Sequence, residues 1–435
     1  MIQNNSVIVL VMPNIDDDDL SAMLVNLKYK KNVIVATNTE KFESHGAEKL
    51  IAEFDYPKKI LDIVNEWCGK NKKKIIGIVA FDEEYHYAFS ESIARAHNLP
   101  FHSRKILDIA SNKFLQKSLF KNAGIKTPEF ALICDKSDLS DAKYPNVLKI
   151  MTGYASLFNF YNKNEKELKQ NIGRIRKGHT KELNHLLFLP HKIKEGSKED
   201  KLYSKKQFIL EEFVDGTEYS CDYAVMPGGS AKVLRIAKKF KSRNFGYFNG
   251  FLLFNPDYEK DSQFKLKDIE QFCTRISKAI GLKSGVCMLD FIFDGKDFIA
   301  IETTTRPGVA SFIELMDKIY NYTSLGIAID MIIGTDFDIK IPNETGLVVA
   351  FYAKKEGVLK SIDYSEIKRD KKYRLLSVNN YYASGFKIKK VKKQDYFAHL
   401  MGYALFKDVP YEKADSLVFE IQGKVYIDVA PFSRT

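Results

Sequence analysis

Residues 285–308 constrain the fold of this chain most strongly, because their side chains specify how two strands must pair. The segment reads GVCMLDFIFDGKDFIAIETTTRPG. Its pattern predicts strands over 286–293 and 297–303, and the Asp-Gly-Lys sequence between them is typical of a hairpin turn. We therefore expect an antiparallel hairpin with one apolar face and one polar face.

A three-residue loop would determine the register of this hairpin. In that register apolar side chains pair on one face, whereas a two-residue loop would separate them. The predicted cross-strand pairs are Phe293 with Asp297, Phe291 with Ile299, and Leu289 with Ile301. The same register sends Asp290 and Glu302 to the opposite face, offset diagonally by about 7–8 Å.

The polar face of the hairpin suits a site for metal and phosphate. Two carboxylates at such a separation, here Asp290 and Glu302, can straddle hard divalent cations, which prefer oxygen ligands and leave positions for phosphate and water. Arg306 follows the second strand, and its planar guanidinium is suited to holding an oxyanion. An exposed hairpin that carries acids only for solubility is the alternative interpretation.

Length and cysteine usage narrow the class of protein. A chain of 435 residues has room for two or three domains, each with its own core. It contains no apolar run long enough to span a membrane. Its five cysteines and eight histidines show no metal-ligand spacing, so we expect buried thiols, no zinc site and a reducing, cytoplasmic setting.

The charge of the chain indicates an anionic partner. There are 67 Lys and Arg residues against 56 Asp and Glu residues, a formal net charge of +11. The lysines are spread along the chain, and no interleaved aromatic residues form a nucleic-acid platform. We therefore interpret the lysine-rich segment 190–206 as a solvated loop and predict an anionic small-molecule substrate rather than a nucleic acid.

The first eighty residues alternate between strand and helix patterns. Apolar runs predict strands over 6–12, 33–36 and 75–81, and helical patterns cover 20–27 and 57–69. This alternation favours a parallel sheet covered by helices. No glycine-rich loop follows the first strand, so a dinucleotide site of the usual kind is not expected there.

Two consecutive stretches resemble the entry into the ATP-grasp fold. They read GIVAFDEEYHYAFSESIARAHNLPF and ASNKFLQKSLFKNAGIKTPEF. Members of that family have a strand, a helix ending in Leu-Pro, and a helix that opens with Asp-Lys and closes with L-x-x-A-G-I-x-T-P. By this resemblance Lys113 corresponds to the first nucleotide-contacting lysine, and Asn112 replaces the usual Asp.

Two further positions match lysines that contact phosphate in the family. Lys149, in a predicted strand over 146–150, corresponds to the second lysine. Lys239 aligns with a third, and its neighbour Lys238 is a close rival. The structural alternative for Lys149 is a side chain that snorkels into solvent from a strand edge without contacting a ligand.

The phosphate-covering loop of the family is matched in part. Gly153 and Ser156 correspond to family residues, and backbone N–H groups of this loop would face phosphate oxygens. Phe158 stands where a second glycine is expected. The loop should therefore be stiffer than in other members.

The strand predicted over 207–214 and the residues after it resemble the hinge that grips adenine between the two lobes of the fold. The resemblance implies that Glu211 accepts a hydrogen bond from the adenine amino group, with Phe213 and Val214 supplying backbone or apolar contacts. Glu218, seven residues after Glu211, would hold the ribose hydroxyls.

The hairpin then corresponds to the metal-binding end of the fold. Family members have an acidic residue followed later by E-x-N-x-R-x-G, which here becomes Asp290, Glu302, Thr304, Arg306 and Gly308. The resemblance implies that the first three hold magnesium, or manganese in its place, and that Arg306 binds an acyl phosphate. Thr304 replaces the usual Asn, and a hydroxyl is a poorer oxygen ligand.

The resemblance extends over nearly the whole chain and implies an ATP-grasp fold of the α/β and α+β classes. Residues 1–110 would form a Rossmann-like pre-ATP-grasp domain, and residues 111–340 the ATP-grasp domain. Residues 341–435 resemble the small C-terminal α/β lid of L-amino-acid-ligase-like and biotin-carboxylase-like enzymes.

The implied activity is that of an ATP-dependent carboxylate–amine ligase, with ATP and magnesium as cofactors and Lys239 and Arg306 as catalytic residues. Its partners would be a small-molecule carboxylate and an amine, without nucleic acid or membrane, and a homodimer is left open. Two alternatives remain at this point. One is a biotin-carboxylase-like carboxylating enzyme, and the other is a degenerate ATP-grasp protein that binds nucleotide in a regulatory role, which Thr304 and Phe158 favour.

Overall fold

The computed structural model describes residues 3–13, 17–54, 56–81, 87–134, 139–151, 158–186, 207–241, 248–309, 311–389 and 399–432. These residues form four sheets, which are described below in chain order. Within the described residues, no helix is both long enough and apolar enough to cross a membrane.

The N-terminal unit is the predicted parallel sheet. Its four strands pair in the order β3-β2-β1-β4. The strands over 6–11, 33–37 and 74–80 are largely buried apolar runs because helices cover the sheet, whereas the edge strand over 48–51 is mostly exposed. The strands are β1 (Ser6–Val11), β2 (Val33–Thr37), β3 (Glu48–Ile51) and β4 (Lys74–Ala80). The helices are α1 (Asp17–Leu24), α2 (Pro57–Asn71), α3 (Tyr87–Ala96) and α4 (Arg104–Ala110). The predicted fold class is confirmed here.

A small antiparallel sheet follows, with the strand order β5-β8-β6-β7. Its strands are β5 (Phe130–Cys134), β6 (Asn146–Ile150), β7 (Phe160–Asn162) and β8 (Gln207–Glu212). Helix α5 (Lys113–Asn122) precedes this sheet, and helix α6 (Glu165–Leu186) packs its first half on it through the buried side chains of Leu168, Ile172 and Ile175.

The central sheet has eight antiparallel strands in the order β13-β12-β9-β10-β11-β14-β18-β16. The first five come from the middle of the chain: β9 (Thr217–Val225), β10 (Ala231–Lys241), β11 (Phe248–Leu253), β12 (Gly285–Phe293) and β13 (Phe298–Thr304). The last three come from its C-terminal part: β14 (Gly346–Tyr352), β16 (Arg374–Asn380) and β18 (Leu400–Lys407). The accompanying helices are α7 (Leu266–Ile280), α8 (Ser311–Tyr320) and α9 (Ser324–Ile333).

The C-terminal strands therefore continue the central sheet through the pairing of β11 with β14. Gly250 permits this pairing, since a Cβ atom there would lie 2.1 Å from the carbonyl oxygen of Val348. The rest of the C-terminal part forms a three-stranded sheet, β15 (Gly357–Asp363), β17 (Lys387–Ile388) and β19 (Tyr426–Ala430), with helices α10 (Ser365–Arg369) and α11 (Ala414–Gly423). The domain boundaries at 110 and 340 stay predictions.

The register of the β12–β13 hairpin differs from the prediction, and the predicted pairs of Phe293 with Asp297, Phe291 with Ile299 and Leu289 with Ile301 were wrong. The loop has four residues, because the Asp294 carboxylate accepts hydrogen bonds from the N–H groups of Lys296 (2.8 Å) and Asp297 (2.7 Å). The observed pairs are Phe293 with Phe298, Ile292 with Ile299, Phe291 with Ala300 and Leu289 with Thr303.

A register shift in this pairing keeps Asp290 and Glu302 on the same face of the sheet. The register shifts by one residue between Asp290 and Phe291, so that Asp290 lies directly opposite Glu302 rather than diagonal to it. The two carboxylates still share one face, as predicted. Leu289 and Phe291 are buried on the opposite face, where the Phe291 ring packs edge-on against that of Phe272 in α7, 6.0 Å between centroids.

Candidate active site

Three neighbouring strands place polar side chains in one row across the central sheet. Asp290 of β12 pairs with Ser220 of β9 on one side and with Glu302 of β13 on the other. Because side chains alternate along a strand, Glu218 and Asp222 lie on the same face as Ser220. This face, which we call the polar face, collects the hairpin carboxylates and the residues of β9 and β10 discussed below.

Lys239 of β10 connects two of these carboxylates. Its Nζ lies 2.5 Å from Asp290 Oδ2 and 3.1 Å from Glu218 Oε1, and Lys241 also pairs with Glu218. Burial opposes the charged ammonium, but the carboxylates of Asp290 and Glu218 outweigh that effect and raise the pKa of Lys239. Burial likewise opposes the Glu218 carboxylate, but Lys241 and Lys239 lower its pKa to about 2.

Glu302 has its own lysine partner. Lys113, the first residue of α5, lies 2.8 Å from Glu302 Oε2. Burial opposes the charge of Glu302, yet Lys113 and Lys149 lower its pKa to about 2. Asn112, which replaces the expected Asp, caps the helix by accepting a hydrogen bond from the N–H of Leu115 at 3.0 Å.

Glu211 lies between two lysines at the end of β8. Its Oε2 is 2.8 Å from Lys149 Nζ and 3.4 Å from Lys117 Nζ, and all three side chains are at most 10 % exposed. Burial opposes the Glu211 carboxylate, but Lys117 and Lys149 lower its pKa overall. Asp290 differs, since burial raises its pKa despite the pairing with Lys239.

Lys117 is a site residue that the sequence analysis missed. It also donates to the carbonyl oxygen of Ile301 (3.0 Å) and to Thr127 Oγ1 (3.3 Å), and burial lowers its pKa to about 8. A usable signal was present, because Lys117 follows Lys113 by one helical turn and precedes the buried Phe120 by three residues. A lysine on the apolar side of an amphipathic helix needs a buried partner.

Two buried acceptor oxygens of the site, on Asp290 and Glu211, fit the groups that nucleotide and metal would supply. Asp290 Oδ1 and Glu211 Oε1 are both buried, and neither has a hydrogen-bond partner among the described residues. An oxygen of that kind can take a cation, as at Asp290 beside Glu302, or an N–H donor such as an adenine amino group. In the ranges that the structure covers, no group of three or more His, Cys, Asp or Glu side chains could hold a metal, so phosphate oxygens and waters would have to complete the coordination.

Sequence comparison identifies the domain that carries this site. The ATP-grasp domain family matches residues 142–311, which include Lys149, Glu211, Lys239, Asp290 and Glu302. This part of the chain is an ATP-grasp domain. No curated protein sequence matches it significantly.

Solved structures show that the ATP-grasp fold extends over the whole chain. L-amino acid ligase from Bacillus licheniformis superposes with a TM-score of 0.77 at 18% identity, covering 99% of this chain and 100% of that one. Phosphoribosylglycinamide synthetase from Anaerococcus prevotii gives a TM-score of 0.63 at 16% identity, with 98% and 100% covered. N5-carboxyaminoimidazole ribonucleotide synthetase from Thermotoga maritima gives 0.62 at 17%, also with 98% and 100% covered. At these identities the likeness concerns the fold.

The residues predicted to form the adenine hinge lie next to Glu211. Phe213 is half-buried, its N–H donates to the carbonyl oxygen of Pro145 (3.2 Å), and its ring packs edge-on against Tyr161 with centroids 5.1 Å apart. Val214 follows, also half-buried. The roles of Glu211, Phe213, Val214 and Glu218 toward adenine and ribose stay predictions.

The two candidate phosphate lysines of β10 point in opposite directions. Lys239 belongs to the polar face, whereas the Lys238 ammonium lies 4.6 Å from the ring centroid of Tyr411 on the other side of the sheet. Burial lowers the pKa of Lys238. This placement favours Lys239 and makes Lys238 a natural control.

The phosphate-covering loop is described only at its end. Gly153 and Ser156 lie outside the described residues. Phe158 has φ 56°, in the left-handed region that favours glycine, and its side chain is 1% exposed in the small-sheet core. The position thus has a backbone conformation that glycine adopts more easily than phenylalanine, and the phenylalanine side chain is buried in the core.

The turn after β13 holds the remaining candidates. The Thr304 hydroxyl donates to the carbonyl oxygen of Arg306 at 2.9 Å, and an Arg306 guanidinium nitrogen donates to the carbonyl oxygen of Pro307 at 3.1 Å. Both residues are 5% exposed. The Thr304 oxygen keeps lone pairs that a metal would need, and its role as a ligand stays a prediction.

Proposed function

We propose that this protein is an ATP-dependent carboxylate–amine ligase. A substrate carboxylate oxygen attacks the γ-phosphorus of ATP, the bond from that phosphorus to ADP breaks, and an acyl phosphate forms. The amine nitrogen then attacks the acyl carbon, loses a proton and displaces phosphate, which leaves an amide. The observation that carries the proposal is a set of three ion pairs, in which Lys113, Lys149 and Lys239 each neutralise a carboxylate that a bound nucleotide or cation would otherwise satisfy.

In this proposal the lysines exchange partners when ATP binds. Lys149 and Lys239 leave Glu211 and Asp290 to hold phosphate oxygens, which are stronger anionic partners. Lys117 stays on Glu211, so that this buried carboxylate keeps a counter-charge, and Glu211 Oε1 accepts from the adenine amino group.

In the same proposal, Glu218 holds the ribose on one side of the Asp290–Glu302 row, and Arg306 holds the acyl phosphate on the other side. Bound magnesium, which Asp290 and Glu302 would hold, neutralises charge on the terminal phosphates. The protein contributes position and fixed charge, which are the main requirements of phosphoryl transfer.

A nucleotide-binding protein without turnover is the second candidate. The specific observation in its favour is Thr304, whose hydroxyl already donates to the Arg306 carbonyl and which replaces an amide ligand of the family. A single weakened ligand would slow the reaction rather than abolish nucleotide binding, since the residues predicted to contact adenine and phosphate are on other segments of the chain.

The test is release of ADP across pairs of amino acids and other acids and amines, with mass detection of the product. Activity with an acid–amine pair supports the ligase, and activity with bicarbonate as the only acid would indicate a carboxylating enzyme instead. No ADP release with any pair, together with magnesium-dependent ATP binding, would leave the nucleotide-binding candidate.

Adjacent lysines supply a matched control for that assay. We expect Lys239→Met to lower turnover by at least about 10²-fold, because a charge at the transferred phosphoryl group is lost. Lys238→Met changes the same strand by the same chemistry on the opposite face, and it should stay within about threefold of wild type. Equal losses in both variants would contradict the role of Lys239.

A further inference from the structure

A second ion pair on β9 and β10 is not used by nucleotide, metal or phosphate in the proposed function. Asp222 and Arg235 have side chains that are 0% exposed, and a guanidinium nitrogen of Arg235 lies 2.7 Å from Asp222 Oδ1. The guanidinium also donates to the carbonyl and hydroxyl oxygens of Ser220, both at 3.3 Å, and stacks 3.7 Å from the ring centroid of Phe312.

Asp222 in turn holds the chain just after Arg306. Its Oδ1 accepts the backbone N–H of Gly308 at 3.0 Å, and its Oδ2 accepts the hydroxyl of Ser324 at 2.6 Å. Gly308 is required for this approach, since a Cβ atom there would lie 2.4 Å from the Arg235 guanidinium. The turn that carries Arg306 is therefore hydrogen-bonded to the buried Asp222–Arg235 ion pair on the polar face.

The strand register places the Asp222–Gly308 hydrogen bond next to the row of Ser220, Asp290 and Glu302. Asp222 pairs with Met288, and Met288 pairs with Thr304, so these residues form the row beside that of Ser220, Asp290 and Glu302. Strand β9 thus contacts both the Asp290–Glu302 row, through Ser220, and the turn that carries Arg306, through Asp222.

Stability alone gives no reason for such a pair. A buried ion pair is often no more stabilising than well-packed apolar residues of similar volume, because desolvation offsets the attraction. Its geometry instead fixes the position of Asp222, because a planar guanidinium with several hydrogen bonds permits only one arrangement of its partner.

We propose that Asp222 is a positioning residue for the reaction, and that Arg235 holds Asp222 in place. Asp222 fixes the Gly308 backbone so that the Arg306 guanidinium meets the developing acyl-phosphate oxyanion in one position. This rests on the proposed function for the role of Arg306. A displacement of about 1 Å at such a group can lower the rate by about 10²-fold.

The experiment compares two double variants of the full chain. Asp222→Leu with Arg235→Met removes both charges and the acceptor for the Gly308 N–H while keeping apolar volume. Asp222→Asn with Arg235→Gln removes the charges but keeps an acceptor oxygen. We expect the first to lower kcat by about 30-fold or more with the KM for ATP within about threefold, and the second to recover kcat to within about fivefold of wild type.

A binding measurement tests the same idea without turnover. Inorganic phosphate is titrated calorimetrically into protein saturated with ADP and magnesium, and Arg306→Ala identifies the signal that belongs to Arg306. We expect the Leu/Met variant to weaken this binding by about tenfold and the Asn/Gln variant to preserve it. Wild type that binds phosphate in this way but releases no ADP with any acid–amine pair would refute the ligase and leave the positioning role standing.

Other outcomes overturn the inference. A Leu/Met variant with wild-type kcat and phosphate affinity shows that the pair does not position Arg306. Parallel losses of kcat, ATP affinity and thermal stability in both double variants show a purely structural role. If the Leu/Met variant does not fold, Gly308→Ala replaces it, because its added methyl displaces the turn from Arg235, and unchanged kcat and phosphate affinity in that variant contradict the proposal.

Discussion

Two of the ion pairs between β9 and β10 lie four residues apart, and they differ in exposure and in the number of their hydrogen-bond partners. Lys239 and Glu218 are 14% and 16% exposed, and Lys239 divides its contacts between Glu218 and Asp290. Arg235 and Asp222 are fully buried, with a stacked guanidinium and four hydrogen-bond partners outside the pair's own contact, two on each side chain.

The difference shows how one pair of strands can both exchange contacts with a ligand and hold the Arg306 turn in position. A lysine ammonium is a compact charge on a flexible stem, so it can leave one carboxylate for a phosphate oxygen. An arginine with a planar set of hydrogen bonds holds a single arrangement. We expect substitutions in the ion pairs of Lys239 to change ligand binding and turnover. Substitutions in the Asp222–Arg235 pair should instead change the geometry of the Arg306 turn.

The largest expected effect is at Glu302, which is predicted to hold the metal together with Asp290. Glu302→Gln removes one carboxylate that would hold the cation, while the adenine and ribose contacts stay intact. We expect turnover to fall by at least about 10²-fold and ATP affinity to change by less than about tenfold. Steady-state kinetics and calorimetry measure the two. A loss of ATP binding as large as the loss of turnover would show that the two ends of the site are not separable.

A smaller effect is expected at Lys149. Lys149→Ala should weaken ATP binding by tenfold or more, the scale of a lost charge-assisted contact of about 1.5–3 kcal/mol. Lys117 still neutralises Glu211 in this variant, so the fold should be retained. Calorimetry with ATP and magnesium measures the affinity, with Lys238→Ala as the control, and unchanged affinity would remove Lys149 from the site.

The dependence of stability on pH tests the ion pairs of Glu218 with Lys241 and Lys239. The folded-state pKa of Glu218 is lowered to about 2, below the ordinary value of 4.5, so its ionised form stabilises the fold above pH 4.5. That contribution, about 3 kcal/mol, is lost as the pH falls from 4.5 through 2. The gap in unfolding free energy between wild type and Glu218→Gln, from urea titrations, should therefore shrink steadily below pH 4.5, and a constant gap would count against the pairing.

The smallest change is expected at Thr304. Thr304→Asn restores the amide ligand of the family and should hold turnover or raise it by a few-fold, because the ligand is improved without touching the lysines. The measurement is ADP release at limiting magnesium. A gain of activity from an inactive wild type would replace the ligase by the nucleotide-binding candidate.

Much of the site follows from order along the chain. Lys113, Lys149, Glu211, Lys239, Asp290 and Glu302 were all predicted from local motifs, and the structure brings them to one region of the molecule. Alternation within a strand is a local property, and for that reason Asp290 and the apolar Leu289 and Phe291 were assigned to opposite faces correctly.

Pairs between distant residues were not predictable in the same way. Lys117 was missed because its partner Glu211 lies 94 positions away, and the two charges come within 3.4 Å of each other only in the folded chain. Asp222 and Arg235 were missed because neither belongs to a motif, and their meaning comes from Gly308, on a different segment.

The β12–β13 hairpin shows which features the sequence determined and which ones the tertiary structure decided. The sequence alone determined that two strands pair here and that their carboxylates are functional candidates, since composition and period are written locally. The tertiary structure decided the register, through the Asp294 turn and the shift beside Asp290, and it joined the C-terminal strands to the same sheet. Register and sheet order depend on the total energy of many weak contacts between distant segments, which no single stretch of sequence contains.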